Sequence, residues 1–131
     1  MKLILIKHSV PEIIPSVPAS QWHLGELGRT RSEMLATKLI EYSADVIASS
    51  VEPKAIETAQ IVANRLHKQF ETSEGLHEHK RDYVSFGNAK QFEKSVAEML
   101  ANPSQLVFGE ESANGAHTRF SNSVSNLIEN H

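Results

Sequence analysis

Short apolar runs alternate with amphipathic helical patterns along this chain, and this alternation is the feature that most constrains its fold. The runs have the length of strands and cover Met1–Ile6, Asp45–Ala48 and, more weakly, Phe70–Leu76. The helical patterns cover Glu26–Tyr42, Glu52–Leu66, Ala89–Leu100 and a last stretch that contains Ala116 and Ile128. Because strands and helices alternate, the sequence predicts an α/β domain with a parallel sheet.

The size and composition of the chain narrow its class. With 131 residues, 40% of them hydrophobic, residues 1–131 are predicted to form a single domain. The apolar runs are too short to cross a bilayer and no signal peptide is recognisable, so we expect a cytoplasmic protein with no membrane partner. The absence of cysteine excludes disulfides, thiolate metal sites and cysteine nucleophiles. A net charge of −3 with scattered cations argues against a nucleic-acid partner.

A cation and an imidazole, Lys7 and His8, directly follow the first predicted strand. Right-handed crossovers would bring the carboxyl ends of the first two strands to one edge of the sheet, so His8 and the turn at 49–54 are expected to face one crevice, where ligands of such sheets bind. The alternative is a strand that simply emerges into solvent through two polar residues.

The first predicted strand is followed by a long loop, residues 9–28, which is broken by three prolines. Loops of this length in a compact domain are usually functional or mobile, so this one is expected to frame a pocket above His8. Trp22 and Phe86 are candidates for its walls, although ordinary packing is the more common reason for such residues and is favoured for both.

Five short motifs then occur in a familiar order. They are Lys7-His8-Ser9 after a strand, Leu24–Arg29 at a helix start, Ser50–Ala59 at a turn and helix, Gly75–Glu78, and Gly109–Ser112 followed by Arg119. In this order they resemble the signatures of the histidine phosphatase superfamily, which has the phosphoglycerate-mutase-like fold. The resemblance implies a three-layer α/β sandwich, with a mostly parallel sheet flanked by helices, that here lacks its C-terminal strand or strands.

The resemblance also implies roles for four residues. His8 would be the nucleophile that becomes a phosphohistidine, which suits a neutral imidazole at a strand end. Lys7 and Lys54 stand where the family has arginines, and would bind the phosphoryl group as flexible point charges in place of planar forks. Glu78 would be the catalytic acid and base, provided that the site raises its pKa.

Each of these residues also has a simpler interpretation. His8 could be a structural histidine at the end of a strand, Lys7 and Lys54 could be solvated surface lysines, and Glu78 could belong to a solvated charge cluster at 77–82. The pair His77 and His79 suggests a metal site, but no third ligand at a suitable spacing supports it. We therefore predict no metal and no cofactor.

The function that follows from these roles is hydrolysis of phosphomonoesters, with a small phosphorylated molecule as substrate. The short stretch after Glu78 favours a phosphatase over a mutase, since the resemblance implies a long insert there in mutases. The family's second strand-end histidine would lie on a strand after the last helix, whereas this chain ends at His131. The alternative is therefore a catalytically inactive phosphate- or partner-binding remnant, or a truncated fragment, and its exposed sheet edge would favour a homodimer.

Overall fold

The computed structural model describes residues 2–85 and 87–131 and consists of helices around a very small sheet. The helices are α1 (Glu26–Leu39), α2 (Pro53–Leu66), α3 (Ala89–Ala101) and α4 (Ala113–Asn130). The strands are β1 (Ala48–Ser49) and β2 (Glu71–Thr72), and single 3-10 turns lie at Ala19–Gln21, Ile40–Tyr42 and Glu74–Leu76. No helix in the described part of the chain is long and apolar enough to span a membrane.

Local sequence signals explain where the helices begin and end. Pro53 occupies the first turn of α2, where a missing N–H costs no helical hydrogen bond. Asn88 caps α3 and Ser112 caps α4, each accepting a hydrogen bond from a backbone N–H three residues later. His67 ends α2 in the left-handed region, with a φ of 54°. All four predicted helices are confirmed, and their ends differ from the prediction by a few residues.

The sheet is parallel, as predicted, but has only two strands in the part of the chain that the structure describes. β1 pairs with β2 in the register Ala48 to Glu71 and Ser49 to Thr72. Helices α1 and α2 pack on each other, and the buried apolar cluster between them contains Ala36, Leu39 and Val62. The predicted α/β class with a parallel sheet flanked by helices is confirmed, with a sheet smaller than expected.

The strand predicted at Met1–Ile6 is not formed. Met1 lies outside the described residues, and residues 2–10 contain no strand. Leu3 and Leu5 are 55% and 64% exposed. A buried strand needs a neighbouring strand for its amides and a packed layer over its faces, and neither β1 nor β2 pairs with this segment. The other two strands are also shorter than predicted, and a 3-10 turn replaces the end of the third.

Candidate active site

The residues after His8 attach it to two helices. The Ser9 N–H donates to Thr58 Oγ1 on α2 at 3.1 Å, and the Val10 carbonyl accepts from the Gly25 N–H at 3.1 Å. Gly28 on α1 lies so close to this segment that a Cβ there would stand 2.1 Å from the Val10 oxygen. Glycine is therefore required at this point for α1 to approach the segment that carries His8.

Both ring nitrogens of His8 have partners. Nδ1 lies 2.7 Å from the Ser9 carbonyl oxygen, and because a carbonyl only accepts, Nδ1 carries a proton. Nε2 lies 2.6 Å from Glu78 Oε1, across 70 residues of sequence. The carbonyl thus fixes the tautomer, and the contact with Glu78 holds one proton between Nε2 and the carboxyl group.

Glu78 is the residue on which the charged contacts converge. Oε1 also lies 3.2 Å from Lys54 Nζ, and Oε2 accepts a hydrogen bond from Arg81 at 2.8 Å. The hydrogen bond with His8, followed by the charges of Lys54 and Arg81, outweighs burial and holds the pKa of Glu78 well below its usual range. The raised pKa that the catalytic role of Glu78 requires is therefore not present in this arrangement, because three proton donors surround the carboxylate.

Lys54 lies in the first turn of α2 and is only 1% exposed, so the solvated alternative is wrong for it. Its Nζ donates to the Ala19 carbonyl at 2.8 Å and lies 3.6 Å from Glu52 Oε1, in addition to its contact with Glu78. Two carboxylates therefore already balance this one ammonium group.

The structure brings three of the four predicted site residues together, and Lys7 is the exception. Lys7 is exposed, and its side chain makes no hydrogen bond or ion pair with the residues that the structure describes. Its proposed role in phosphate binding stays a prediction.

The stretch 77–82 is not a solvated cluster, because all of its residues except Lys80 are at least partly buried. His77 Nδ1 donates to the Glu78 carbonyl, and His79 Nε2 donates to the Glu111 carbonyl. The two imidazoles therefore face different carbonyls. Among residues 2–85 and 87–131, no three His, Asp or Glu side chains are placed to hold a metal ion.

Four charged residues surround Glu78, and the sequence analysis gave none of them a role. Glu52 accepts a hydrogen bond from the Glu78 N–H, and Arg81 pairs with the Glu78 carboxylate. Arg119 donates to the Gly75 carbonyl in the preceding turn and pairs with Glu111. The Glu111 and Arg119 motifs had a detectable signal in their resemblance to the family. Glu52 had none beyond its place before Pro53, because its partner is 26 residues away.

A cavity of about 200 Å³ opens beside Glu78. Its walls are formed by residues 77–82 on one side and by Ser20, Val51 and Glu52 on the other. Trp22 does not line it: the indole is buried, and its Nε1 donates to the carbonyls of Ile14 and Val17, which supports the packing interpretation. Phe86 lies outside the described residues.

Solved structures share the fold of this chain. A mycobacterial glucosyl-3-phosphoglycerate phosphatase matches at 22% identity and a TM-score of 0.73, over 95% of this chain and 62% of that one. Its complex with inorganic phosphate matches at 23% identity and a TM-score of 0.71, over 93% and 60%. A second mycobacterial protein, described as hydrolase 2, matches at 22% identity and a TM-score of 0.74, over 93% and 55%. The chain thus spans less than two thirds of these neighbours.

A search of curated proteins gave no match. The family model of the histidine phosphatase superfamily, branch 1, matches residues 17–131, which include Lys54, Glu78 and Arg119, and the match begins after His8. This match covers most of the chain and agrees with the shared fold. The chain belongs to the histidine phosphatase superfamily.

Proposed function

We propose that the protein hydrolyses small phosphomonoesters through a phosphohistidine at His8. The observation that carries this proposal is the convergence on one carboxylate oxygen: His8 Nε2 lies 2.6 Å and Lys54 Nζ 3.2 Å from Glu78 Oε1. A nucleophile, a cation and a proton carrier are the three groups that phosphoryl transfer through a histidine requires.

The shared proton gives the first half of the reaction. When a phosphoryl group draws Lys54 towards its own oxygens, Glu78 loses a stabilising cation, its pKa rises, and it takes the proton from Nε2. The freed lone pair of Nε2 attacks phosphorus, the bond from phosphorus to the ester oxygen breaks, and Glu78 gives its proton to the leaving alcohol.

The second half reverses the roles. The Glu78 carboxylate takes a proton from water, the water oxygen attacks phosphorus, and the bond from phosphorus to Nε2 breaks. Inorganic phosphate leaves, and the proton returns to its place between Glu78 and His8. No group beyond water and the ester is consumed.

The surroundings of the site support a small substrate. The cavity beside Glu78, whose lining residues include neither His8 nor Lys54, has a volume of about 200 Å³, which is below the usual range for drug-sized ligands. The structural neighbour is named as a phosphatase of glucosyl-3-phosphoglycerate and has been solved with inorganic phosphate, which supports phosphate-ester chemistry for this fold. The cytoplasmic location and the homodimer stay predictions.

A second candidate is phosphate or partner binding without turnover. It is favoured by the charge balance of the site, where Glu52 and Glu78 already neutralise Lys54 and where Lys7 takes no part in the contacts. In this case a phosphate ester would occupy the cavity and leave unchanged.

Hydrolysis of p-nitrophenyl phosphate between pH 4 and 8 tests the proposal. We expect His8→Ala to lower kcat by about 10³-fold or more, because the nucleophile is lost. His117→Ala is the matched control, since His117 is exposed on α4, and its rate should equal that of the wild type. Equal rates for wild type and His8→Ala at every pH would overturn the proposal, and phosphate binding observed by calorimetry in that case would support the second candidate.

A further inference from the structure

We propose that Glu52 and Arg119 are positioning residues that hold Glu78 against His8 by gripping its main chain from opposite sides. We call this pair the main-chain clamp. The inference rests on the proposed function, in which Glu78 must deliver a proton. Glu52 and Arg119 lie outside the four predicted site positions, and their role would be to orient the Glu78 carboxyl group.

Glu52 forms one side of the clamp. Its carboxylate is buried, and Oε2 accepts the hydrogen bond of the Glu78 N–H at 3.1 Å. Glu52 itself is fixed as the residue before Pro53 at the start of α2. The same side chain lies 3.6 Å from Lys54 Nζ, so it links the cation of the site to the backbone of the acid.

Arg119 on α4 forms the other side. Its guanidinium donates to the carbonyls of Gly75 at 2.7 Å, His77 at 2.9 Å and Glu78 at 3.2 Å. Glu111 holds the guanidinium in place through two contacts, of 2.6 Å and 3.2 Å. Five N–H donors in a rigid plane can span three carbonyls and a carboxylate together, which an ammonium group cannot do.

The clamp replaces the support that a helix or strand would give. Residues 77–82, which carry Glu78, have no regular secondary structure, so no ladder of backbone hydrogen bonds fixes them. A displacement of about 1 Å at a reacting group can cost about 10²-fold in rate. The N–H and the C=O of Glu78 are both held by charged side chains, and this fixes the direction in which its carboxylate leaves the backbone.

If Glu52 and Arg119 were merely structural, their loss would lower stability and would slow the hydrolysis of all phosphate esters equally. The proton from Glu78 matters for an alkoxide leaving group and much less for p-nitrophenolate, which leaves readily without one. Loss of the clamp should therefore slow the hydrolysis of an alkyl phosphate more than that of p-nitrophenyl phosphate.

The first experiment compares β-glycerol phosphate with p-nitrophenyl phosphate for Arg119→Lys. We expect the kcat for β-glycerol phosphate divided by the kcat for p-nitrophenyl phosphate to fall by about 10-fold or more, because general-acid assistance contributes about 10²–10⁴-fold. Arg65→Lys is the matched control, as Arg65 is exposed on α2. An equal fall for both esters, or no fall, would overturn the clamp.

Glu52 gives a second, graded test. Glu52→Gln keeps an oxygen that can accept from the Glu78 N–H, whereas Glu52→Ala removes it. We expect Glu52→Ala to lower the ratio of kcat for β-glycerol phosphate to kcat for p-nitrophenyl phosphate, and Glu52→Gln to retain most of the wild-type ratio. If glutamine and alanine lower the ratio equally, the main-chain contact has no positioning role. This pair also serves if Arg119→Lys fails to fold.

A third measurement does not depend on turnover. The ¹⁵N resonance of His8 Nε2 reports its hydrogen bond to Glu78, so we expect it to move in Arg119→Lys and in Glu52→Ala and to stay in place in Arg65→Lys. Unchanged resonances would contradict the clamp even in an inactive protein. A wild type without turnover but with shifted resonances in the variants would overturn the proposed function and leave the clamp supported.

Discussion

Two parts of this molecule position the candidate site by different physical means. The packed pair α1 and α2 is held by apolar contacts of Ala36, Leu39 and Val62. The stretch 77–82 is held by hydrogen bonds between its backbone and charged side chains, in which carboxylates accept from backbone N–H groups and Arg119 donates to a carbonyl. Apolar packing is non-directional and tolerates small shifts, whereas hydrogen bonds to charged groups fix direction. Glu78, the proposed proton carrier, thus lies in the stretch held by directional hydrogen bonds, where the orientation of a side chain is best defined.

Lys54 belongs to both parts, since it lies on the packed helix α2 but points into the charged network. Its burial makes the network part of the stability of the fold, because removing this ammonium group leaves the buried Glu52 carboxylate without a cation, whereas Glu78 keeps His8 and Arg81. Substitutions in the packed helices and in the charged network should therefore differ in their effects on stability and on the contact between Glu78 and His8.

The largest expected effect on stability comes from Lys54→Met, which keeps the length of the side chain and removes its charge. We expect a loss of about 3–5 kcal/mol in the free energy of unfolding, since breaking a buried ion pair leaves the Glu52 carboxylate without its cation. Urea unfolding measures this change in the free energy of unfolding. Lys38→Met, an exposed change on α1, should cost less than about 0.5 kcal/mol. Equal stability of Lys54→Met and the wild type would show that the buried charges contribute nothing to the fold.

The sequence predicted the packed helices well and the charged contacts poorly. Helix α2 was readable from its apolar spacing and from Pro53, and these alone place Lys54. The family resemblance put Glu78 and His8 in one site, but no local pattern predicted their contact, since Glu78 is held by Glu52 and Arg119, which lie 26 and 41 residues away from it. Periodicity reports which face of a helix is buried and carries no information about distant polar partners.

The segment before His8 shows the opposite failure. Its apolar composition predicted a strand at 1–6, yet composition reports only what a segment could bury. Strand formation also needs a neighbour with free backbone groups, and in the described residues β1 and β2 pair only with each other. His8 reaches the site through the contacts of Ser9 and Val10, which a sequence pattern does not record.

An intermediate effect is expected from Val62→Ala in the apolar part. Removing two buried methyl groups should lower the free energy of unfolding by about 1–3 kcal/mol. The His8 Nε2 resonance should nevertheless stay in place, because the charged contacts do not depend on this side chain. Val46→Ala, at an exposed position, is the control for stability. A shifted resonance in Val62→Ala would mean that packing and hydrogen bonding are not separable here.

The smallest expected effect is in the pH dependence of stability and tests the charged part alone. The pKa of Glu78 is lowered in the folded protein, first by its hydrogen bond with His8 and then by Lys54 and Arg81. A lowered carboxyl pKa stabilises the fold above the unfolded value of about 4.3, and this stabilisation is lost as the pH falls towards the folded value.

Glu78→Gln removes this titration. Between pH 6 and pH 3 the variant should therefore lose less free energy of unfolding than the wild type, by on the order of 1 kcal/mol. Some loss will remain, because Glu57 and Glu111 also have lowered pKa values: burial raises them, but hydrogen bonds from Arg29 and Arg119 outweigh it. Glu33→Gln, exposed on α1, should follow the wild type. If Glu78→Gln also followed the wild type, the charges around Glu78 would be too well solvated to fix the orientation of its carboxylate.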